Sequence, residues 1–300
     1  MSISAASYVA ARTTPWQRAQ DYLELTKPKI VLMELVTVAV AGVVASGGAP
    51  SLRLVLHALI GTLLVGAGAS AWNQWLERHS DALMPRTAER PLPCGRLGSR
   101  EVVLLGSLAS LSGVLYLGLL TNVLTAALGA ATWVLYVGVY TPLKARSPFN
   151  TVVGAVAGAL PILMGWTAVG GRLGLSAATL FLIVFLWQFP HFMAIAWIYR
   201  RQYAVAGMKM LSVVDPSGVR AGAQAVWGAL ALVPVSLLPA LISSAGPTYF
   251  VWALALGVGQ LLCAALFWLK MNDHSARVLL RASLIYLPAL LIWLMIGPRA

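Results

Sequence analysis

Nine long stretches of hydrophobic residues constrain this chain more than any other feature of its sequence. Each is about 17–25 residues long, the length at which an α-helix crosses a hydrocarbon layer roughly 30 Å thick. A backbone in lipid must satisfy its hydrogen bonds within its own segment, so these stretches are predicted to be helices. The predicted spans are 30–46, 54–72, 102–120, 123–140, 151–169, 175–199, 224–242, 249–269 and 278–296.

The composition excludes an ordinary soluble domain. Hydrophobic residues make up 59% of the chain and charged residues only 10%, whereas a soluble domain carries about 25% charged residues. The two cysteines, Cys94 and Cys263, are too few for a disulfide framework. The sequence therefore predicts an all-α, polytopic membrane protein of about nine transmembrane helices.

The distribution of positive charge predicts how the chain is threaded through the bilayer. Of the 21 Lys and Arg residues, only Arg53, Arg172 and Arg299 fall on one side of the predicted spans, and the others fall on the opposite side. The positive-inside rule then places the N-terminus in the cytoplasm and the C-terminus outside. This predicts a cytoplasmic segment at 1–29, a single transmembrane domain at 30–300, and cytoplasmic loops at 73–100, 141–150, 200–220 and 270–277. Topology thus accounts for the net charge of +12 without nucleic acid.

The first predicted cytoplasmic loop begins with oxygen-bearing side chains at four-residue intervals, Asn73, Glu77 and Asp81. If the second span continues as helix, each interval turns only about 40° around the axis, so the three share one stripe. Two carboxylates and an amide suit Mg²⁺, which completes its shell with water and substrate phosphate. The same spacing also fits a solvated helix end, and it leaves both interpretations open.

Basic residues follow this stripe directly. Arg86, Arg90 and Arg96 lie among three prolines that end the helix. Guanidinium groups bind phosphate oxygens in a forked geometry. Carboxylates for a metal beside arginines for phosphate indicate a diphosphate site.

Four separated motifs resemble the UbiA-type intramembrane prenyltransferases, specifically their protohaem IX farnesyltransferase branch. The stripe and its arginines resemble the first signature of that family. The other three motifs are Leu25-Thr26-Lys27-Pro28-Lys29, the stretch from Tyr140 to Asn150 with Gly154, Gly158, Pro161, Gly165 and Trp166, and Trp187-Gln188-Phe189-Pro190-His191-Phe192 with Tyr203 and Met210-Leu211.

This resemblance implies a fold, an activity and a cofactor. The expected fold is a helical bundle around a central cavity open to the cytoplasm, in the bacterial inner membrane. The expected reaction transfers a farnesyl group from farnesyl diphosphate to a vinyl group of protohaem IX, with water, giving haem O and diphosphate. By resemblance, Asn73, Glu77 and Asp81 hold Mg²⁺, and Lys144, with Arg146, contacts the diphosphate; these three and Lys144 are the expected catalytic residues. A downstream haem-modifying enzyme or terminal oxidase assembly is a conceivable partner.

The third cytoplasmic loop, 200–220, departs from the family pattern. Members usually carry an acid just before the loop tyrosine, but this chain reads Tyr199-Arg200-Arg201-Gln202-Tyr203. A second metal at this loop is therefore not expected. We hypothesise instead that Arg200 or Arg201, together with Arg86 and Arg90, neutralises the diphosphate directly.

An allylic carbocation must be shielded from water, and aromatic walls provide that shielding. The candidates for the haem and prenyl pocket are Tyr140, Trp166, Trp187, Gln188, His191, Phe192 and Tyr203. Aromatic residues near span ends also form interfacial belts, so each ring has this second interpretation. His191 lies about 13 Å inside the membrane, where ionisable groups are usually functional. It could face the porphyrin or bond to carbonyls freed by Pro190.

Glu34 lies about one turn inside the first span and is expected to be structural, with its carboxyl reaching the interface. Two other functions remain open from the residues alone. A transporter is disfavoured because its ionisable groups would lie at the midplane, whereas the acids here cluster at the mouth. A prenyltransferase acting on an aromatic or quinone precursor is the closer rival.

Overall fold

The structure is a computed structural model that describes residues 14–242 and 246–296. All regular structure in these residues is helical. Arg12 and Arg299, which were used to predict the topology, lie outside the described residues. The helices are α1 (Pro15–Leu25), α2 (Pro28–Ala45), α3 (Leu52–Asp81), α4 (Ser99–Leu120), α5 (Val123–Trp133), a π-helical segment (Val134–Tyr140), α6 (Thr141–Leu143), α7 (Asn150–Ala168), α8 (Leu175–Ile198), α9 (Arg200–Val205), α10 (Leu211–Val214), α11 (Val219–Ile242), α12 (Gly246–Lys270) and α13 (Asp273–Ile296).

The prediction of about nine membrane helices is confirmed. Within the described residues, nine helices are long and apolar enough to cross a bilayer, with α5, the π-helical segment and α6 forming one crossing, Val123–Leu143. The main difference concerns the second span, whose helix α3 continues to Asp81 rather than ending near residue 72. The continuation carries the oxygen-bearing stripe out of the membrane on a rigid element.

The first helix, α1, precedes the first span and is fixed to the ends of α3 and α4. Thr14 caps it, and the Thr14 and Gln17 side chains form a reciprocal capping box. Asp21 pairs with Arg96 at 2.7 Å, and Arg18 pairs with Glu101 at 2.5 Å. The Gln74 amide on α3 donates to the Leu25 carbonyl at 3.0 Å, which holds the end of α1 next to α3.

The membrane helices form a ring rather than a row of hairpins. Helix α2 packs against α3, α7 and α13, so the first span meets the last one and closes the ring. Helix α8 packs against α7, α11 and α13, and a shared apolar cluster joins α2, α7, α8, α11, α12 and α13. The approach of α2 to α7 depends on Gly165, because a Cβ there would overlap the Val38 carbonyl oxygen.

The ring encloses a cavity of about 470 Å³. Side chains from α2, α3, α5, the π-helical segment, α7, α8 and α13 line it, and most of them are apolar or aromatic. Lys29, near the start of α2, is one of the lining residues.

The predicted loops come together at one end of the bundle. The Lys209 N–H donates to the Lys144 carbonyl at 2.7 Å, which joins the second and third loops. The Arg86 guanidinium lies 4.4 Å from the centre of the Tyr199 ring, which joins the first and third. Arg200 pairs with Asp273 at the start of α13, at 2.7 Å. The basic loops therefore form one continuous cap at the end of the helical ring.

Candidate active site

The predicted stripe exists as one face of α3. Asn73, Glu77 and Asp81 lie on the last three turns of this unbroken helix, and their exposed fractions are 0%, 7% and 1%. The alternative of a solvated helix end is wrong, because solvated side chains would be exposed. Buried carboxylates are costly unless they are paired or bind a cation.

Each member of the stripe contacts a basic side chain from elsewhere in the chain. Lys144 Nζ lies 2.8 Å from Glu77 Oε1. Arg90 Nη1 lies 2.7 Å from Asp81 Oδ2. Lys27 Nζ donates to Asn73 Oδ1, and the Asn73 amide donates to the Thr141 hydroxyl at 2.9 Å. We refer to Lys27, Arg90 and Lys144 as the cation triad.

Lys27 is a site residue that the sequence reasoning missed. It is the last residue before Pro28 and adopts a left-handed backbone conformation with φ 51°, which is unusual for a residue with a side chain. Such strain is found where the surroundings fix a residue for function. Burial lowers the pKa of Lys27 to about 7, with Arg90 acting in the same direction. The available signal was the Thr-Lys-Pro sequence at the start of the first span.

Lys144 reaches Glu77 from the crossing that contains the π-helical segment. Tyr136 and Tyr140 lie on this segment with ring centres 5.5 Å apart, and Lys144 Nζ lies 4.5 Å from the centre of the Tyr140 ring. Burial acts to lower the pKa of Lys144, but the Glu77 carboxylate outweighs it and holds that pKa well above its usual value. The pair with Glu77 therefore favours the protonated form of Lys144.

Arg86, on the first loop, contacts the tyrosines of the second signature region. Its guanidinium stacks on Tyr199 and donates to the Tyr203 hydroxyl at 3.4 Å. Tyr203 is buried in a cluster with Met84, Met208 and other residues of the loops, so it supports Arg86 and does not line the cavity. Arg86 of the first loop is therefore the arginine that lies beside Tyr199 and Tyr203.

The structure does not bring the other predicted arginines to the stripe. Arg200 donates to Asp273 and to the Trp197 carbonyl, and its guanidinium stacks 4.3 Å from the Trp197 ring centre. Arg201 and Arg146 are exposed. The expected contact between Arg200 and a diphosphate therefore needs correction, because its donors are directed to the start of α13.

The cavity contains most of the predicted pocket residues. Tyr140, Trp187, Gln188, His191 and Phe192 line it. The Gln188 amide donates to the Ala155 carbonyl at 2.8 Å, and a 2.9 Å hydrogen bond links His191 Nδ1 to the hydroxyl of Ser283 on α13. These bonds fix both polar side chains in otherwise apolar walls.

Trp166, like Tyr203, is a pocket prediction that the structure does not support. Its indole N–H donates to the Arg172 carbonyl at 2.9 Å, in the turn between α7 and α8, and its ring packs in the apolar cluster of the ring of helices. It is therefore a packing residue at the opposite end of α7 from Lys144.

The donors of the stripe fit Mg²⁺ by their chemistry. They are two carboxylates and an amide, all oxygen ligands on one rigid helix face. In the part of the chain that the structure describes, no group of three His, Cys, Asp or Glu side chains forms a complete protein cage. An incomplete oxygen set suits an ion that shares its remaining positions with water and phosphate.

The profile of the UbiA prenyltransferase family matches residues 35–293. The chain belongs to this family. Among the family's curated members, the chain is 42% identical to "Protoheme IX farnesyltransferase" of Solibacter usitatus, over 90% of this chain and 95% of that protein. It is 43% identical to the protein of the same name from Koribacter versatilis, over 90% and 91%. The resemblance seen in the motifs is confirmed.

Solved structures of UbiA proteins show the same fold. A digeranylgeranylglyceryl phosphate synthase is 17% identical, with a TM-score of 0.79 over 94% of this chain and 98% of that chain. A UbiA homologue from Archaeoglobus fulgidus bound to GPP and Mg²⁺ is 16% identical, with a TM-score of 0.70 over 92% and 99%. The ring of membrane helices, nine of them within the described residues, therefore has the UbiA fold.

Proposed function

We propose that this protein transfers the farnesyl group of farnesyl diphosphate to a vinyl group of protohaem IX, with addition of water, and releases diphosphate. The product is haem O. One observation carries the proposal: the cation triad and the buried acidic stripe meet at the end of an apolar cavity. A substrate with a polyanionic head and a long hydrocarbon tail matches both parts of this site.

The cation triad and Arg86 would bind the diphosphate. With Lys27 protonated, three cations face two carboxylates, and the surplus positive charge attracts a polyanion. Lys144 is buried and fixed against Tyr140, so it is oriented before the substrate arrives. Preorganised positive charge of this kind stabilises the negative charge that develops on a departing diphosphate.

We propose that Asn73, Glu77 and Asp81 hold Mg²⁺ against the diphosphate. Bound there, the ion would neutralise charge on the leaving group, an effect of several kcal/mol in order of magnitude. Lys144 and Arg90 now pair with Glu77 and Asp81, and phosphate oxygens would offer both cations other partners, which would leave the two carboxylates to hold the ion. The solved relative that contains both GPP and Mg²⁺ supports this arrangement.

The cavity would hold the farnesyl chain beside the haem. Its walls exclude bulk water, which keeps an allylic cation from being hydrolysed before the vinyl carbon attacks. The face of the Tyr140 ring lies 4.5 Å from Lys144 Nζ, and Tyr136 lines the same cavity. These rings would lie near the carbon that loses the diphosphate, where ring faces stabilise positive charge. His191 faces the same space from α8 and is the candidate contact for the porphyrin.

The proposed setting is the inner membrane of a bacterium. The basic loops and the N-terminus would lie in the cytoplasm, by the positive-inside rule, so the cation triad would meet the water-soluble head of its substrate there. Haem O would leave toward a haem-modifying enzyme or an oxidase under assembly.

The decisive experiment combines a pigment assay with a metal titration. Membranes containing the protein are supplied with farnesyl diphosphate and haem, and the extracted haem is separated by hydrophobicity and mass. We expect haem O, with formation that rises with Mg²⁺ concentration. Asp81→Asn should raise the Mg²⁺ requirement and lower the maximal rate about 100-fold or more.

Asp215→Asn is the matched control, because Asp215 is a loop acid whose carboxylate bonds only locally, to Ser217 and to the Arg220 N–H. It should behave as wild type. Absence of haem O together with a prenylated aromatic product would favour the rival acceptor class. Normal haem O formation by the Asp81 variant at low Mg²⁺ would refute the metal assignment.

A further inference from the structure

Glu34 is a cavity side chain with no role in the mechanism so far. It lies on α2 and, among the described residues that line the cavity, it is the one acid. The sequence suggested that its carboxyl reaches the membrane interface, but the structure directs it toward α3 inside the bundle. An ionisable group at this depth is costly in an apolar setting and commonly marks a functional site.

The carboxyl of Glu34 packs on the backbone of α3 at Gly66. A Cβ on Gly66 would lie 2.8 Å from Glu34 Oε2, so the absence of a side chain there makes room for the carboxyl. Within the described residues the carboxyl has no hydrogen bond or ion pair, and Lys27 is the charged group that influences it. Its oxygens are therefore available to a molecule in the cavity.

A second polar residue of the cavity, Thr62, lies on α3 one turn before Gly66 and on the same face of that helix. Thr62 is 2% exposed and lines the cavity, and its Oγ1 has no hydrogen-bond partner in the described residues. Buried hydroxyls without partners are rare, because an unmade hydrogen bond is costly in an apolar site. Glu34 and Thr62 thus place a carboxyl and an unpartnered hydroxyl along the same wall of the cavity.

The position of this pair relative to the diphosphate site suggests which guest it binds. Gly66 precedes Asn73 by seven residues, about 10 Å of helix, and Glu34 lies about 9 Å along α2 from Pro28. Along α3, Gly66 thus lies about two turns below Asn73 and Thr62 about three turns below it, on the prenyl side of the proposed diphosphate site. A buried water needs two or more polar partners, and the pair supplies them in a wall that is mostly apolar.

We infer that Glu34 and Thr62 hold the water molecule consumed in the reaction, and that Glu34 accepts its proton. This inference rests on the proposed function. Breaking the C1–O bond of farnesyl diphosphate leaves the electron pair on diphosphate. The vinyl π electrons form the new C–C bond and leave a cation on the carbon next to the porphyrin. The water oxygen bonds to that carbon, and its O–H proton passes to Glu34 Oε2.

Three of the other titratable groups that line the cavity are poorer proton acceptors. Lys29 has no free electron pair when protonated, and the hydroxyls of Tyr136 and Tyr140 are weakly basic. His191 lies on α8 with Nδ1 bonded to Ser283. A general base in reach of its proton contributes about 10²–10⁴ to a rate, so its loss should be measurable.

The test compares haem products and diphosphate release for wild type and Glu34→Gln. In the variant, haem O formation should fall about 100-fold while diphosphate release stays close to wild type. The cation would then lose a proton to diphosphate, giving a farnesylated haem one water lighter than haem O. Glu34→Asp should restore part of the hydroxylated product.

Further variants separate positioning from general damage. Thr62→Val should lower the hydroxylated fraction, and Gly66→Ala should do the same by displacing the carboxyl. Glu89→Gln removes an exposed loop carboxylate by the same substitution, and it should leave the product ratio unchanged.

Two results would overturn the inference alone: wild-type hydroxylation by Glu34→Gln, or an equal fall of haem O and diphosphate release in that variant. Wild-type membranes that make no haem O would overturn the proposed function, and this inference with it.

Discussion

Replacing Lys144 with Met tests whether Lys144 and Glu77 contribute to the stability of the fold as a pair. The side chains of Glu77 and Lys144 are only 9% and 16% exposed. Met fills the volume of the lysine stem but leaves the Glu77 carboxylate without its nearest cation. Removing one partner of a buried pair costs about 3–5 kcal/mol, because the other charge stays buried.

The structure favours the lower end of this range. Lys144 retains some contact with solvent, and Lys27 and Arg90 still act on the Glu77 carboxylate. A loss of about 3 kcal/mol corresponds to a fall of roughly 6–10 °C in the unfolding midpoint of a chain of this size. The assay is thermal unfolding of the purified protein in detergent, without substrate.

The double variant Lys144→Met/Glu77→Gln decides the cause. It removes both charges, so the midpoint should recover to within about 3 °C of wild type, although activity stays lost. Asp273→Asn is the control, since its pair with Arg200 is more exposed and should change stability by about 1 kcal/mol or less. A double variant as unstable as the sum of its single variants would refute the reasoning.

Three further predictions follow from the same geometry. Gly165→Ala should destabilise the protein by about 1–3 kcal/mol in unfolding assays, because its Cβ would overlap the Val38 carbonyl and separate α2 from α7; an unchanged midpoint would contradict the close approach. Arg86→Lys should raise the KM for farnesyl diphosphate about 10-fold, since an ammonium loses the stacking on Tyr199 and the forked donors; an unchanged KM would remove Arg86 from the site. Chelation of divalent cations should stop diphosphate release, and added Mg²⁺ should restore it, whereas turnover in excess chelator would exclude a metal.

The membrane helices could be predicted from the sequence because each of them is a continuous run of hydrophobic residues. It also predicted the stripe of Asn73, Glu77 and Asp81, because residues four positions apart on a helix lie on the same face. What it could not show was the partner of each side chain, because those partners come from other loops.

Lys27 and Arg200 illustrate this limit. Lys27 reaches Asn73 only because the turn before Pro28 takes a left-handed conformation, which no local pattern predicts. Arg200 has the right charge in the right loop, but its helix directs it to Asp273. Trp166 likewise matched a motif by type, whereas its depth along α7 placed it in the packed core.

The π-helical segment Val134–Tyr140 has a consequence for how this site can change over time. Its wider turns, marked by the Thr141 backbone N–H donating to the Tyr136 carbonyl five residues back, set the angle at which Lys144 approaches Glu77. Losing one residue there would let an ordinary helix form and swing everything after it by about 100°. A substitution leaves the length of the segment unchanged, but a change in its number of residues would direct Lys144 away from Glu77. The position of Lys144 beside Glu77 therefore depends on the number of residues in this seven-residue segment.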